Sequence, residues 1–295
     1  MRVTMLPEAE PRTGERRVAI GTFDGVHLGH REVIRGCDTV LTFEPHPLAV
    51  LAPDALPKLL QPLSLKRDVI AGLGVEELVV IPFDREFAGR SAEEFVDAVL
   101  LERLGATHVS VGENFRFGRK AAGDAEMLRR RPEFETRVVS LVEVAGETVS
   151  SSHIRGLVAA GDVAGAHRFL GAPFMLEGDV TRGDGRGQGL GMPTANIIPA
   201  DRLACPGHGV YAAWAHGRRA AVSVGVRPTF DTGRGLLVEA HLLDFEGDLY
   251  GETLRIAFAE RLRGERRFDS TEALVEQMRR DVEEVRRLLP AATVP

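Results

Sequence analysis

The chain has 295 residues, of which 44% are hydrophobic and 27% charged, and its formal net charge at pH 7 is −6. This length can form two domains with separate cores, and the negative charge argues against general nucleic-acid binding. No segment approaches the roughly 18 uncharged apolar residues of a membrane helix, and the first residues lack the apolar core of a signal peptide. With only two cysteines, Cys37 and Cys205, neither a disulfide framework nor a structural zinc site is expected. We expect a cytoplasmic protein that binds neither nucleic acid nor membrane, and its state as a monomer or homo-oligomer stays open.

Over residues 1–170, short apolar runs rich in β-branched residues alternate with helical patterns. The runs are RVAIG (17–21), TVLTF (39–43), ELVVIPF (77–83), THVSVG (107–112) and RVVSLV (137–142). The clearest helix spans 91–104, where Ser91 and Glu94 form a capping box and Gly105 follows the last apolar position. This alternation predicts a parallel sheet with helices on its faces.

Three unusual loops follow the first, second and fourth of these predicted strands. They are GTFDGVHLGH (21–30), EPHP (44–47) and GENFRFGRKAAGD (112–124). Ligands of parallel sheets bind at the carboxyl ends of the strands, so all three loops are expected at one edge. The sequence therefore predicts a ligand site at that edge.

After about residue 170 the pattern changes to short strand-like runs with no long helix between them. The runs are GVYAAWA (209–215), AAVSVGV (220–226), LLVEAHLLDF (236–245) and ETLRIAFAERL (252–262). Closely spaced turn signals between them predict a small antiparallel barrel. Residues 270–289 predict a final amphipathic helix, whose apolar stripe is Leu274, Met278, Val282, Val285 and Leu289.

Two histidines, His27 and His30, stand where the first unusual loop passes into a predicted helix. Residues three apart share a helix face, so zinc binding is geometrically open, but no cysteine or carboxylate cluster nearby completes a site. A capping or core role is a second interpretation. The third is a phosphate site, because free N–H groups at a helix start attract anions and imidazoles add donors. The H-x-G-H spacing in a strand–loop–helix setting resembles a nucleotidyltransferase signature.

Three further segments each allow a functional and an ordinary interpretation. SSSHIR (150–155) offers hydroxyls and an arginine to a second anion, or is an ordinary helix N-cap. EPHP either holds His46 over a ligand or only makes a turn. ENFRFG (113–118) places Asn114 and Arg116 beside two phenylalanines, which suits a flat aromatic ligand or core packing.

The second domain contains a glycine-rich stretch, GDGRGQGLGMPTAN (183–196), that lacks the Gly-Lys-Ser/Thr of a Walker loop. Thr194 and Asn196 would point to one side of a strand, and their oxygens suit Mg²⁺ beside phosphates. Glu239 lies among apolar residues of another strand, either as a solvated carboxylate or as part of a site.

Taken in order, these motifs resemble the prokaryotic bifunctional riboflavin kinase/FAD synthetase family. The matching segments are GTFDGVHLGH, TFEPHP, VGENFRFG, SSSHIR, GRGQGLGMPTAN, GVYAAW, VRPTF, VEAHLLDF and LYGE. The resemblance implies a Rossmann-like α/β FMN adenylyltransferase domain over 1–170. It implies a small antiparallel Greek-key riboflavin kinase barrel with a C-terminal helix over 171–295.

The resemblance also implies roles for individual residues. The implied ATP-binding residues are Gly21, Phe23, Asp24, Gly25, His27, His30, Ser151, Ser152, Arg155, Gly187, Gly191 and Thr194. The implied flavin-binding residues are Pro45, His46, Pro47, Asn114, Phe115, Arg116, Arg227, Pro228 and Thr229. Thr194 and Asn196 would hold Mg²⁺. The implied catalytic residues are Glu239 as the general base of the kinase, and His27, His30 and Arg155 in adenylyl transfer.

One departure from the family follows His30. Relatives have a full helix and a further strand turn before TFEPHP, whereas only REVIRGCDTVL (31–41) intervenes here. A parallel crossover needs about 10–12 residues, so the sequence predicts a short first helix.

The leading functional expectation is FAD biosynthesis: riboflavin and ATP give FMN, and FMN and ATP then give FAD and pyrophosphate. The alternative is a riboflavin kinase whose N-terminal domain is impaired by the shortened crossover helix. A flavin carrier without turnover is a further hypothesis, but storage needs neither a base nor metal ligands. Adenylyl transfer to another acceptor is a fourth hypothesis, against which the second domain argues.

Overall fold

The computed structural model describes residues 1–182, 192–227 and 235–290. The chain divides into two compact units, one formed by residues 1–57 and 62–151, the other by 58–61 and 152–295. The sequence-based division into domains 1–170 and 171–295 stays a prediction, because compact units and functional domains need not share a boundary. Across the described ranges, every helix is too short or too polar to serve as a membrane span.

A six-stranded parallel sheet forms the centre of the first unit, as the alternating pattern predicted. The strands of this unit are β1 (Arg2–Met5), β2 (Arg17–Ile20), β3 (Thr39–Glu44), β4 (Glu77–Pro82), β5 (His108–Gly112), β6 (Arg116–Phe117), β7 (Gly123–Asp124), β8 (Glu135–Val139), β9 (Glu143–Val144) and β10 (Glu147–Thr148). The sheet order is β1-β4-β3-β2-β5-β8, while β6–β7 and β9–β10 form two short antiparallel pairs. The edge strand β1 was not predicted.

Helices cover both faces of this sheet. They are α1 (Leu28–Ile34), α2 (Pro47–Leu51), α3 (Leu63–Ala71), α4 (Arg85–Ala88), α5 (Ala92–Glu94) and α6 (Ala125–Arg129), with 3-10 turns at Leu6–Glu8, Pro53–Ala55 and Arg119–Ala121. Along β4, Val79 and Ile81 pack into one apolar cluster, whereas Leu78 and Val80 pack into another. Because alternate residues of a strand face opposite sides, the sheet is buried on both faces.

The prediction of a short first crossover is confirmed. Helix α1 has seven residues, and it connects the neighbouring parallel strands β2 and β3. The Ser110 hydroxyl on β5 donates a 2.7 Å hydrogen bond to the Val33 carbonyl near the end of α1. This bond fixes the short helix against the sheet.

The helix predicted over 91–104 forms, but most of it is not α-helical. Ser91 and Glu94 make the predicted capping box, and α5 then continues as a π-helix over Phe95–Arg103. Its buried side chains are Phe95, Val96, Val99 and Leu100. The Leu104 N–H donates to the Val99 carbonyl five residues earlier, which is the hydrogen bond of a π-helix.

The second unit is a closed barrel of six antiparallel strands. They are β11 (Phe174–Thr181), β12 (Ala195–Ile198), β13 (Gly209–Ala215), β14 (Arg218–Arg227), β15 (Gly235–Leu242) and β16 (Thr253–Arg263). The order around the barrel is β11-β12-β15-β14-β13-β16. Strands β13, β14 and β15 follow one another and β16 returns beside β13, which is the predicted Greek key.

Three helices accompany the barrel: α7 (Ser151–Ala160), α8 (Val163–Leu170) and α9 (Thr271–Leu288). Helix α9 begins at the N-cap Ser270, close to the predicted start. Val285 and Leu289 of its predicted apolar stripe are buried in a cluster with Ala212 and Leu243. The prediction of a C-terminal amphipathic helix is confirmed.

Candidate functional site

The loop between β2 and α1 brings the two histidines of H-x-G-H into contact. His27 is the N-cap of α1, and its Nδ1 accepts a 3.2 Å hydrogen bond from the His30 backbone N–H. The two rings stack with centroids 3.5 Å apart. The capping interpretation of His27 is therefore correct, and it is compatible with ligand binding. With Nδ1 accepting, a neutral His27 carries its proton on Nε2.

His30 lines a cavity of the first unit and has an unpartnered polar atom. Its Nδ1 is buried and has no hydrogen-bond partner among the described residues. Phe23 approaches the ring edge-on, with the centroids 5.3 Å apart. Burial lowers the pKa of His30 well below 6.5, and the charges of His27 and Lys66 lower it further. His30 is thus neutral at pH 7, with a ring nitrogen available to a ligand.

Lys66, on α3, is a site component that the motifs did not indicate. Its ammonium donates a 2.8 Å hydrogen bond to the Thr22 carbonyl, which also accepts from the Thr42 hydroxyl at 3.3 Å. The side chain is 6% exposed. Burial lowers the pKa of Lys66, and the carboxylates of Asp24 and Glu44 partly offset that effect. The available sequence signal was a lysine within the mostly apolar segment LSLKRDVIA, which forms α3.

The serine cluster meets the same loop through one residue. The Ser151 hydroxyl, at the start of α7, donates a 2.8 Å hydrogen bond to the Asp24 carbonyl. Arg155 donates to the Ser152 hydroxyl at 3.1 Å, one turn along the same helix. Ser151 is thus hydrogen-bonded to the loop that carries the histidines.

A cavity of about 810 Å³ opens at the carboxyl edge of the parallel sheet. Predicted site residues from all three unusual loops line it; they are Gly21, Phe23, His30, His46, Pro47, Asn114, Phe115 and Arg116. Four other predicted residues, Asp24, Gly25, His27 and Pro45, lie in the same loops but do not line the cavity. The expected convergence of the three loops on one edge is confirmed.

The walls of this cavity are aromatic. Phe43, Phe83, Phe87, Phe95 and Phe117 line it, and each ring contacts the next with centroids 5.3–6.3 Å apart. Phe115 stacks on Phe117 at 5.5 Å, so the aromatic series reaches a predicted flavin residue. Such walls suit a flat ring system.

On the barrel, two predicted residues are direct cross-strand neighbours. Asn196 on β12 pairs in register with Glu239 on β15, and Glu239 pairs with Ser223 on β14. Their neighbours Ile197 and Val238 are fully buried inside the barrel, so this row lies on the outer face. Sequence patterning did not single out Ser223, which only the strand register brings beside Glu239.

A second cavity of about 420 Å³ lies on the barrel and includes Thr194 in its lining. Asn196 and Glu239 are absent from the described lining residues of this cavity. The predicted residues Gly187, Gly191, Pro228 and Thr229 lie outside the described residues, and only the backbone of Arg227 is described.

Comparison with known proteins matches both units. The FAD synthetase family model matches residues 9–153, and the riboflavin kinase model matches residues 170–289. The bifunctional riboflavin kinase/FMN adenylyltransferases of Listeria monocytogenes and Pseudomonas fluorescens are each 35% identical, over 91% of this chain and 91% of theirs. This chain belongs to the bifunctional riboflavin kinase/FMN adenylyltransferase family. The resemblance inferred from the motifs is confirmed, and both domains of the family are present.

A solved structure also matches at full length. The crystal structure of the macrolide-efflux protein from Streptococcus pneumoniae has a TM-score of 0.86 and 32% identity, and covers 98% of this chain and 100% of that chain. Because the match covers both units, the solved structure and this chain share the combination of a parallel sheet and a barrel in one polypeptide.

Proposed function

We propose that this chain makes FAD from riboflavin in two steps, with ATP as the donor in both. Its barrel phosphorylates riboflavin to FMN, and its first unit adenylylates FMN and releases pyrophosphate. The observation that carries the proposal is the 810 Å³ cavity. Its lining includes part of the implied ATP set (Gly21, Phe23 and His30) and most of the implied flavin set of the first unit (His46, Pro47, Asn114, Phe115 and Arg116). The match of the FAD synthetase model to the first unit favours this over a kinase with an impaired N-terminal domain.

In the adenylyl transfer, an oxygen of the FMN phosphate attacks the α-phosphorus of ATP, and the bond to pyrophosphate breaks. Charge on the transferring group and on pyrophosphate is stabilised by donors already in place. We assign this role to His27 and His30, at the start of α1. The family motif also implies Ser151, Ser152 and Arg155 as ATP-binding residues.

The flavin of FMN occupies the aromatic part of the same cavity. Phe115 supplies a ring that stacks on Phe117, and Asn114 and Arg116 supply polar groups for the edge of the flavin. His46 caps α2 by accepting from the Leu48 N–H at 3.1 Å, which orients the Pro45–Pro47 segment toward the ligand.

In the kinase step, the 5′-hydroxyl of riboflavin attacks the γ-phosphorus of ATP, the bond from that phosphorus to the bridging oxygen breaks, and ADP leaves. Glu239 takes the hydroxyl proton as general base. Its register position beside Asn196 keeps the base adjacent to an amide that can hold a metal, because directly opposed residues have close Cβ atoms. The family motifs also imply Arg227, Pro228 and Thr229 as riboflavin-binding residues, and Gly187 and Gly191 as ATP-binding residues.

The donor set at the barrel fits Mg²⁺. Thr194 and Asn196 offer hard oxygens, which Mg²⁺ prefers, and it usually completes its shell with water and substrate phosphates. Across the described residues there is no group of three or more His, Cys, Asp or Glu that could hold a metal ion. The bound ion would neutralise phosphate charge. The cysteines Cys37 and Cys205 are both free, as is usual in the reducing cytosol, and this supports a cytoplasmic location for the enzyme.

Chromatography of the flavins formed from riboflavin, ATP and Mg²⁺ tests both activities at once. Both FMN and FAD should accumulate, with one pyrophosphate released per FAD. Accumulation of FMN alone would contradict the adenylyltransferase, and absence of both products would contradict both activities. Omission of Mg²⁺ should stop both steps.

Substitution of the base separates the two activities. We expect Glu239→Gln to slow FMN formation by at least about 100-fold, because it removes the proton acceptor, and to leave FAD formation from supplied FMN unchanged. Glu260→Gln is the matched control, since Glu260 is an exposed carboxylate on the same barrel. FMN formation at the normal rate in Glu239→Gln would exclude Glu239 as the base.

A further inference from the structure

Several positively charged side chains line the cavity of the first unit. Arg90, Arg116, Arg119 and Lys120 line it, whereas none of its described lining residues is Asp or Glu. The surrounding wall is largely apolar, so these charges are less screened than charges on an open surface. A cavity with this composition favours an anionic ligand. Of the four cations, only Arg116 has a role in the proposed function.

Arginines elsewhere in the first unit behave differently. Most form ion pairs with Asp or Glu; examples are Arg2, Arg16, Arg17, Arg131 and Arg137. In contrast, the part of the chain that the structure describes contains no carboxylate within ion-pair distance of Arg90, Arg119 or Lys120. Arg90, Arg119 and Lys120 therefore lack a described carboxylate partner, and all three line the same cavity.

The backbone holds these three cations side by side. The Arg119 N–H donates a 2.8 Å hydrogen bond to the Arg90 carbonyl, which joins the segment after β6 to the residue before the N-cap of α5. Gly118 allows this approach, because it has φ +72° and a Cβ there would lie 2.6 Å from the Ala92 nitrogen. The Arg90 guanidinium lies 5.0 Å from the centre of the Phe87 ring, inside the cavity wall.

We propose that Arg90, Arg119 and Lys120 make this cavity selective for a flavin that carries a phosphate. The inference rests on the proposed adenylyltransferase function and names the residues that set its flavin specificity. The chain handles two flavins that differ by one phosphate group: riboflavin is neutral, and FMN carries about two negative charges at pH 7. Aromatic walls bind the shared ring of both flavins, so they cannot separate the two. The three cations attract the negatively charged phosphate of FMN, whereas neutral riboflavin has no phosphate for them to bind.

Steady-state adenylyl transfer in the full-length protein tests this selectivity. The variant combines Arg90→Met, Arg119→Met and Lys120→Met, which removes the charges and keeps unbranched side chains. We expect the KM for FMN to rise about tenfold or more, as for loss of charged hydrogen bonds. The KM for ATP should change less than about threefold. Inhibition by lumiflavin, a neutral flavin without a phosphorylatable side chain, should keep its Ki.

Two matched variants complete the test. The first variant combines Arg129→Met and Arg130→Met, two exposed positions at the end of α6 that do not line the cavity. It removes positive charge elsewhere and should leave the KM for FMN, the KM for ATP and the Ki for lumiflavin unchanged. Arg119→Lys with Lys120→Arg keeps the charges and should retain the low KM for FMN. Riboflavin phosphorylation by the barrel should be the same in every variant.

Each result has a definite meaning. An unchanged KM for FMN in the triple variant overturns the inference. Equal rises in the KM for FMN and the Ki for lumiflavin also overturn it, because the residues would then contact the ring. Equal rises in both KM values overturn it in favour of general attraction of anions. If the native protein makes no FAD from FMN, the proposed function itself fails, which is a distinct outcome.

Discussion

The two edges of the parallel sheet differ in how their buried polar groups are paired. At the amino edge, Arg16 is 1% exposed, and its guanidinium binds the Glu77 carboxylate at 2.8 Å, the Thr39 hydroxyl at 3.2 Å and the Leu104 carbonyl at 2.9 Å. At the carboxyl edge, the buried Nδ1 of His30 has no partner among the described residues.

This contrast separates charges that stabilise the fold from groups that await a ligand. A buried polar group costs free energy unless it is paired, so the amino edge is internally complete. The carboxyl edge retains that cost until a ligand supplies the partner. We therefore expect substitutions at the amino edge to change stability, and substitutions at the carboxyl edge to change FAD formation.

The largest expected effect on stability is that of Glu77→Gln. Removal of one partner of a buried ion pair leaves Arg16 uncompensated and costs about 3–5 kcal/mol of unfolding free energy. Urea unfolding followed by far-UV circular dichroism should show the first unit unfolding earlier. The single tryptophan, Trp214, lies on β13, so its fluorescence reports the barrel and should not shift.

Glu126→Gln is the control for that substitution. Glu126 pairs with Arg130 on the surface, and exposed pairs contribute at most about 1 kcal/mol. An unchanged dichroism transition in Glu77→Gln would mean that the amino-edge network does not stabilise the sheet. A large loss of FAD formation by folded Glu77→Gln protein would contradict the separation between the edges.

The largest expected effect on activity is that of the two histidines. We expect His30→Gln and His27→Asn each to lower the kcat of FAD formation about 100- to 1,000-fold, as loss of a transition-state donor does. Asparagine is a good N-cap, so His27→Asn keeps the capping function while it removes the imidazole. His108→Gln, at the amino end of β5, should leave the rate unchanged. Full activity of His27→Asn would show that His27 only caps α1.

A smaller, mixed effect is expected for Lys66→Met, because Lys66 both holds the loop and lies beside the histidines. Loss of its bond to the Thr22 carbonyl should cost about 1–3 kcal/mol of stability, and kcat/KM for FAD formation should fall about tenfold. The exposed lysine of the second unit gives the control Lys58→Met. Reduced stability with normal FAD formation would assign Lys66 a purely structural role.

The smallest effect is a difference in acid sensitivity between the edges. His30 has a lowered pKa, so the unfolded chain binds its proton first, and stability falls as pH drops below about 6.5. Burial raises the pKa of Glu77, but hydrogen bonds from Arg2 and Thr4 and nearby positive charges lower it overall, below 4.5. Stability from Glu77 is therefore present above pH 4.5 and lost as pH falls further.

Unfolding free energies measured from pH 8 to pH 3 distinguish the two groups. His30→Gln should flatten the profile just below pH 6.5, and Glu77→Gln should flatten it only below pH 4.5. Identical profiles for the two variants would contradict the assignment of separate pH ranges. For both groups the free energy of unfolding decreases as the pH falls, because each pKa is lower in the folded state than in the unfolded state.

Much of the fold and part of the site followed from local signals in the sequence. The capping box at Ser91, the alternation of apolar runs and the stripe of α9 are short-range patterns, and each predicted its element. The π-helix over Phe95–Arg103 was not predictable, because packing against the sheet decided the hydrogen-bond register. Strand β1 has a mixed pattern, RVTM, and only its pairing with β4 makes it a strand.

The sequence by itself determined the family, the order of the two domains and the residues of the three carboxyl-edge loops, because these depend on motifs and periodicity. Tertiary structure decided which groups meet. It set Lys66 against Thr22, Asn196 opposite Glu239, and Arg119 beside Arg90. Each pair joins residues that lie far apart along the chain, since strand register and helix packing bring together what no local pattern specifies. The same folding left His30 Nδ1 unpartnered among the described residues, which the motif alone did not reveal.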